Sequence, residues 1–280
     1  MGQFFVSFRK AFRNLYVLTF LNGFLIACLL FFHILSVYEN GLFDSIKSSI
    51  DATANGGATP DSILIKSMHA CHELMHSRAD VFIGNTRRLG PEGGILHSAA
   101  VDLNTTDGAC GSYSEVLARV LRSYNYPIRI AQMMAGGKYG AHMVVEAYDG
   151  SRWVALDPSY NVFYVRPDGQ LASIADIRGN WSYYRNQTPP DYDQAYRYED
   201  VRYTNWSKIP VLMPAIKKVL TWIIGSERTN HLSLRVLFLH VYDIYFYITL
   251  ILEIALLLGT IRIQIRIRRN PAPLHLEPSV

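Results

Sequence analysis

Two long apolar stretches bracket the chain. Leu15 to Val37 carries no formal charge, and Val236 to Ile261 is again strongly apolar. A helix needs about 20 such residues to cross a bilayer core, so each stretch predicts a membrane span. Between them the pattern changes. Residues 40–60, with Gly41, Asn55-Gly56-Gly57 and Pro60, read as a linker. Asp61 or Ser62 caps a predicted helix through Arg78, with Ile63, Ile65, Met68, Cys71, Leu74 and Met75 as its apolar positions. A loop containing Gly90, Pro91, Gly93 and Gly94 follows.

From Tyr113 the apolar positions Val116, Leu117, Val120, Leu121 and Tyr124 recur with helical spacing, which predicts an amphipathic helix ended before Pro127. Pro127–Met134 reads as a strand, Gly136-Gly137 as a turn, and Ala141–Tyr148 and Arg152–Leu156 as two further strands. Asp149-Gly150 is a two-residue hairpin signal. Counting back from that turn pairs Tyr148 with Ser151, Glu146 with Trp153, Val144 with Ala155, and His142 with Asp157. Ile209 to Gly225 is too short and too charged to span; it reads as a helix lying at a membrane interface, with Trp222 as an anchor.

Charge gives the spans a direction. Arg9, Lys10 and Arg13 precede the first, while Arg262, Arg266, Arg268 and Arg269 follow the second. The positive-inside rule puts both ends in the cytoplasm and the middle outside. The whole chain carries a formal net charge of +4, yet residues 40–232 balance at 19 Lys and Arg against 19 Asp and Glu. The surplus is therefore a topology signal, and a nucleic-acid partner loses its support. With only 18% charged residues and 50% apolar ones, the chain is neither disordered nor collagen-like. Three cysteines make no disulfide framework.

The expected layout is a cytoplasmic tail over 1–14, a span over 15–37, an extracytoplasmic domain over 40–208, an interfacial segment over 209–232, a span over 236–261, and a basic cytoplasmic tail over 262–280. Leu25-Ile26-Ala27-Cys28 resembles a lipoprotein cleavage box, but the apolar Leu29 to Leu35 that follows favours an uncleaved anchor. Asp243 and Glu253 are costly in a bilayer core. Asp243 fits the outer interface. Glu253 and Asn22 lie at similar depths from the cytoplasmic ends and are expected either to pair or to leave Glu253 facing a membrane-protein partner.

The candidate chemistry lies between Asp107 and Asn161. Cys110 stands at the predicted start of the amphipathic helix, where unpaired backbone N–H groups and the macrodipole favour a thiolate. The counted hairpin puts His142 and Asp157 on one sheet face, about 4.5–5.5 Å apart at Cβ. A nucleophile, a base and a group that orients the base are the requirements of covalent catalysis.

Gly108-Ala109-Cys110, His142-Met143-Val144-Val145-Glu146 and Trp153-Val154-Ala155-Leu156-Asp157-Pro158 resemble the three core motifs of the transglutaminase-like superfamily. Asn125-Tyr126-Pro127-Ile128-Arg129 resembles its connector from helix to first strand. The resemblance covers residues 105–175. It implies an α+β fold, a papain-like core with the Cys-bearing helix packed on an antiparallel sheet that carries His and Asp, here flanked by two transmembrane helices. It also implies Cys110 as nucleophile, His142 as general base and acid, and Asp157 as orienter, with no cofactor. Asn104 and the Cys110 backbone N–H are alternative oxyanion donors. The expected activity is cleavage or transfer of an amide or acyl bond through a thioester. Its substrates would be envelope peptides, proteins or polymers at a plasma membrane crossed twice.

Two other readings stand beside it. His72-Glu73-Leu74-Met75-His76 matches the H-E-x-x-H pattern of zinc peptidases, although Ala79 and Phe82 stand where a continuing metal motif needs Gly and His. Glu92, His69 and Cys71 are the further ligands to consider. A non-catalytic membrane scaffold is the third reading. The sequons at Asn104, Asn180, Asn186 and Asn205 matter only in a eukaryotic secretory route, and a bacterial envelope is the expected setting. The tyrosines between 180 and 206 suit packing over the sheet or a substrate groove.

Overall fold

The computed structural model describes residues 15–53, 59–82, 98–106, 108–135 and 138–269. The basic residues before Leu15, the Asn55-Gly56-Gly57 and Gly90–Gly94 segments, Glu92, Asp107, the Gly136-Gly137 turn and the tail after Arg269 lie outside them. The chain divides into two compact units, one of residues 1–38 with 242–280 and one of residues 39–241.

The first unit contains the apolar parts of two helices, α1 (Leu15–Thr53) and α9 (Val241–Arg269), both long and apolar enough to cross a membrane. Asn22 Nδ2 donates to Thr260 Oγ1 at 3.2 Å, Ser36 Oγ donates to Asp243 Oδ1, and Phe32 meets Tyr245 with ring centroids 5.3 Å apart. Asn22 thus pairs with Thr260, not with Glu253. The expected pairing measured depth from Ile261, whereas the helix continues through the basic run to Arg269 and moves its end by two turns. The helix also starts at Val241, five residues later than Val236, because Leu234–Phe238 form a 3₁₀ turn.

The linker reading of residues 40–60 fails over its first part. Helix α1 runs on to Thr53, and Phe43, Ile46 and Ile50 on its second-unit stretch are buried. Their i, i+3, i+7 spacing is a helical stripe, and burying such side chains contributes about 1.5–3 kcal/mol each, enough to outweigh one helical Gly41.

The second unit is built on a five-stranded antiparallel sheet of order β4-β3-β2-β1-β5. The strands are β1 (Ile128–Ala135), β2 (Lys138–Tyr148), β3 (Trp153–Asp157), β4 (Val162–Phe163) and β5 (Arg197–Arg202). Helices α2 (Pro60–Phe82), α3 (Ala99–Thr105) and α4 (Cys110–Ser123) cover one face. There Met68, Met75, Val116, Leu117, Val120 and Leu121 pack with Ile130, Val145, Val154 and Leu156 in one core. The other face carries Ala131, Met133, Val144 and Ala155 under an aromatic layer that includes Tyr164, Tyr184, Tyr198 and Tyr203. Alternation along each strand sorts its residues between the two layers. The tyrosines are mostly packing, yet the layer also closes over the site described below.

The hairpin register differs from the one counted on the sequence. Tyr148 pairs with Trp153, Glu146 with Ala155 and Val145 with Leu156. The turn is centred on Gly150-Ser151: Asp149 N donates to Arg152 O at 3.0 Å, and Asp149 Oδ1 accepts from Ser151 N and Arg152 N at 2.7 and 2.8 Å. An Asp side chain that bonds the backbone two residues on fixes itself as the first turn residue. Gly150, at φ 104°, then takes the left-handed position. Moving the turn centre by one residue moves the pairing by two. His142 and Asp157 become diagonal neighbours on the same face.

Candidate active site

Cys110 opens α4, as the helical periodicity predicts. The preceding Ala109 sits at φ 47° and ψ −126°, a conformation that costs about 1–3 kcal/mol in a residue with a Cβ. The surroundings hold it there. Gly108 N donates to Ser112 Oγ at 2.8 Å, and Ser112 Oγ donates to buried Asp102. A Cβ at Gly108 would lie 2.9 Å from that same Oγ, so the approach requires glycine. As the first helical residue, Cys110 has a backbone N–H with no intrahelical acceptor. Asn104 Nδ2, the other candidate oxyanion donor, gives one of its two N–H groups to Ala100 O at 2.8 Å within its own helix.

Ser114 Oγ on α4 donates to Met143 O at 3.0 Å, tying the Cys-bearing helix to the strand residue next to His142. His142 is 1% exposed. Its Nε2 lies 2.6 Å from Asp157 Oδ2, and the Cys110 thiol is near enough to the ring to act on its charge state. With Nε2 held by Asp157, Nδ1 is the nitrogen left for the thiol. Asp157 is itself fixed: Oδ1 accepts from Ser159 Oγ at 2.8 Å and from Tyr160 N at 3.3 Å. Burial alone would lower the His142 pKa, but the charge and hydrogen bond of Asp157, helped by Cys110, raise it well above the usual imidazole range.

The three sequence-derived residues therefore meet. Of them only Cys110 is partly open to solvent. Tyr196 lies flat on the His142 ring, while Tyr160 and Tyr192 meet it edge-on. The aromatic richness of this stretch was visible in the sequence, but which ring would cover the imidazole was not.

His72 and His76 stack with centroids 5.0 Å apart, but His72 Nδ1 is engaged by Pro158 O at 2.9 Å, and Glu73 is exposed. His69 Nδ1 meets Asn161 Oδ1 at 2.5 Å. Among the described residues, no group of three or more His, Cys, Asp or Glu side chains is placed to hold a metal ion. Two histidines of α2 instead brace the turn that follows Asp157. Cys71 is fully buried in the helical core, and burial pushes its pKa up.

Residues 86–158 match the family model of the transglutaminase-like superfamily, a span that contains Cys110, His142 and Asp157. The chain carries a transglutaminase-like domain. Comparison with curated proteins and with solved structures gave no significant match. The matched span lies within an α+β structure that sets a Cys-bearing helix on an antiparallel sheet and has an apolar helix toward each end.

Proposed function

We propose that this is a membrane-tethered cysteine enzyme that cleaves or transfers an amide or acyl bond outside the cytoplasm. The observation that carries the reading is the Cys110–His142–Asp157 contact chain at a helix N-terminus. In it His142 takes the thiol proton, and Asp157 stabilises the imidazolium. The Cys110 sulfur attacks the carbonyl carbon while the backbone N–H of Cys110 donates to the developing oxyanion. The imidazolium then protonates the leaving amine. Water, or a second amine, attacks the resulting thioester and frees the sulfur, with His142 accepting the incoming proton. The substrates are peptides, proteins or amide-bearing polymers near the membrane surface. The basic ends at the cytoplasmic side support the two-pass orientation.

Alkylation tests it. At neutral pH, iodoacetamide should modify Cys110 at least about tenfold faster in the wild type than in His142→Ala, because the thiolate is the nucleophile. Equal, slow rates in the two proteins would exclude an activated thiol and leave a scaffold.

A further inference from the structure

Strand β5, helix α7 (Leu212–Ile224) and helix α8 (Ser226–Asn230) border three hollows in the second unit. The largest, about 670 Å³, shares Val201 and Asn230 with a small one of about 150 Å³. The small one shares Arg129 and His231 with a third of about 480 Å³. Basic groups line all three: Lys217 and Lys218 in the first, Arg129, Arg178 and His231 in the second, Arg228 in the third.

Arg129 is held ready. Its guanidinium stacks on Trp153 and Tyr203, at 4.1 and 4.5 Å from the ring centroids, and its Nε donates to Glu146 Oε2 at 2.7 Å. Glu146 is fully buried and also accepts from Tyr203 OH at 2.5 Å and Ile174 N at 3.1 Å. That leaves the two terminal nitrogens of Arg129, for which the described residues supply no acceptor. Arg178 forms no ion pair among the described residues and is exposed. The small hollow, about 150 Å³, has room for a compact anionic group such as a phosphate. A planar fork of donors, fixed before binding, fits the oxygens of a phosphate.

Helix α7 says where such a phosphate would come from. Pro214, Lys217, Lys218 and Thr221 form the face that lines the largest hollow. On the remaining surface Leu212, Val219, Trp222 and Ile223 are 52%, 55%, 87% and 62% exposed, and no residue of α7 is buried. An apolar face backed by lysines is the pattern of a helix lying in the headgroup layer. We propose that the Arg129–Arg178–His231 hollow binds the phosphate of an anionic lipid head group while the apolar face of α7 enters that layer. Glu227 lines the third hollow beside Arg228, but the small hollow offers a choline ammonium no carboxylate and sets Arg129, Arg178 and His231 against it, which disfavours choline head groups. The assignment uses none of the Cys110 site and stands or falls apart from it.

The test is thermal stabilisation of the full chain in neutral detergent, titrated with short-chain phosphatidylglycerol, phosphatidylcholine of the same chain length, or inorganic phosphate. Phosphatidylglycerol should stabilise saturably, and at least about tenfold more tightly than either other probe. Arg178→Gln should weaken that binding about tenfold; its exposed side chain keeps the variant folded, whereas Arg129 also neutralises buried Glu146. Equal affinity for phosphatidylcholine, or an Arg178→Gln protein that binds like the wild type, overturns the proposal. Inorganic phosphate binding as tightly as the lipid overturns the lipid source and leaves a free anion as the ligand.

Discussion

The ring of Tyr196 lies nearly parallel to the imidazole of His142, with centroids 4.4 Å apart and planes 8° from each other. A cation over an aromatic face gains about 0.5–2 kcal/mol, so this contact favours the imidazolium over the neutral ring. Replacing Tyr196 by Ala should lower the His142 pKa by up to about one unit, since each unit corresponds to about 1.4 kcal/mol. Histidine NMR titration measures it. Tyr196→Phe keeps the ring and should keep the pKa; an unchanged value in Tyr196→Ala would remove the cation–ring explanation.

The raised His142 pKa also makes stability depend on pH. A group whose pKa is higher in the folded state than in the unfolded one stabilises fully below the unfolded value, about 6.5 for His. That contribution is lost as pH rises through the folded pKa. Denaturation of the wild type should therefore become easier along the alkaline limb above pH 6.5. His142→Gln should lack that contribution to the slope, and parallel curves for the two proteins would contradict it.

Asp157 is buried, and its carboxylate holds His142, Ser159 and Tyr160 together. Truncation to Ala leaves a buried imidazole without its partner and should cost about 3–5 kcal/mol. Asp157→Asn keeps the shape but removes the charge. Its alkylation rate should fall toward that of His142→Ala while its melting temperature drops less than that of Asp157→Ala.

Gly108→Ala forces a methyl group to within 2.9 Å of Ser112 Oγ and 3.4 Å of Ser112 N. Overpacking of this kind costs about 1–3 kcal/mol. Because the strain falls two residues before Cys110, alkylation should slow together with the loss in melting temperature. A variant with wild-type values of both would show that the turn yields freely.

Much of this was legible in the residue order. The stripe from Tyr113 to Tyr124 fixed α4, and with it the place of Cys110, because helical spacing and a following Pro127 leave few alternatives. The strands with His142 and Asp157 were legible from alternation. What failed was local or distant in a way that pattern does not record. The dipeptide signal puts the turn at Asp149-Gly150, whereas the Asp149 side chain's own hydrogen bonds centre it on Gly150-Ser151. The glycines of residues 40–60 suggested a linker, but Phe43, Ile46 and Ile50 find a core that only the folded domain supplies. The H-E-x-x-H match left a metal reading open beside a structural one, and the pattern did not show that His72 meets Pro158 O, 86 residues away in the sequence.

The displaced hairpin has a consequence for how the site tolerates change. Side chains on a strand return to the same face every second residue, so the His142–Asp157 partnership obeys a parity rule. A slip of two residues trades an opposite pair for a diagonal one and keeps imidazole and carboxylate within reach, as the 2.6 Å contact records. A slip of one would put the base on one side of the sheet and its orienter among the core residues on the other. The Asp149 side chain, by fixing which residue begins the turn, acts at a distance as the guardian of an even number.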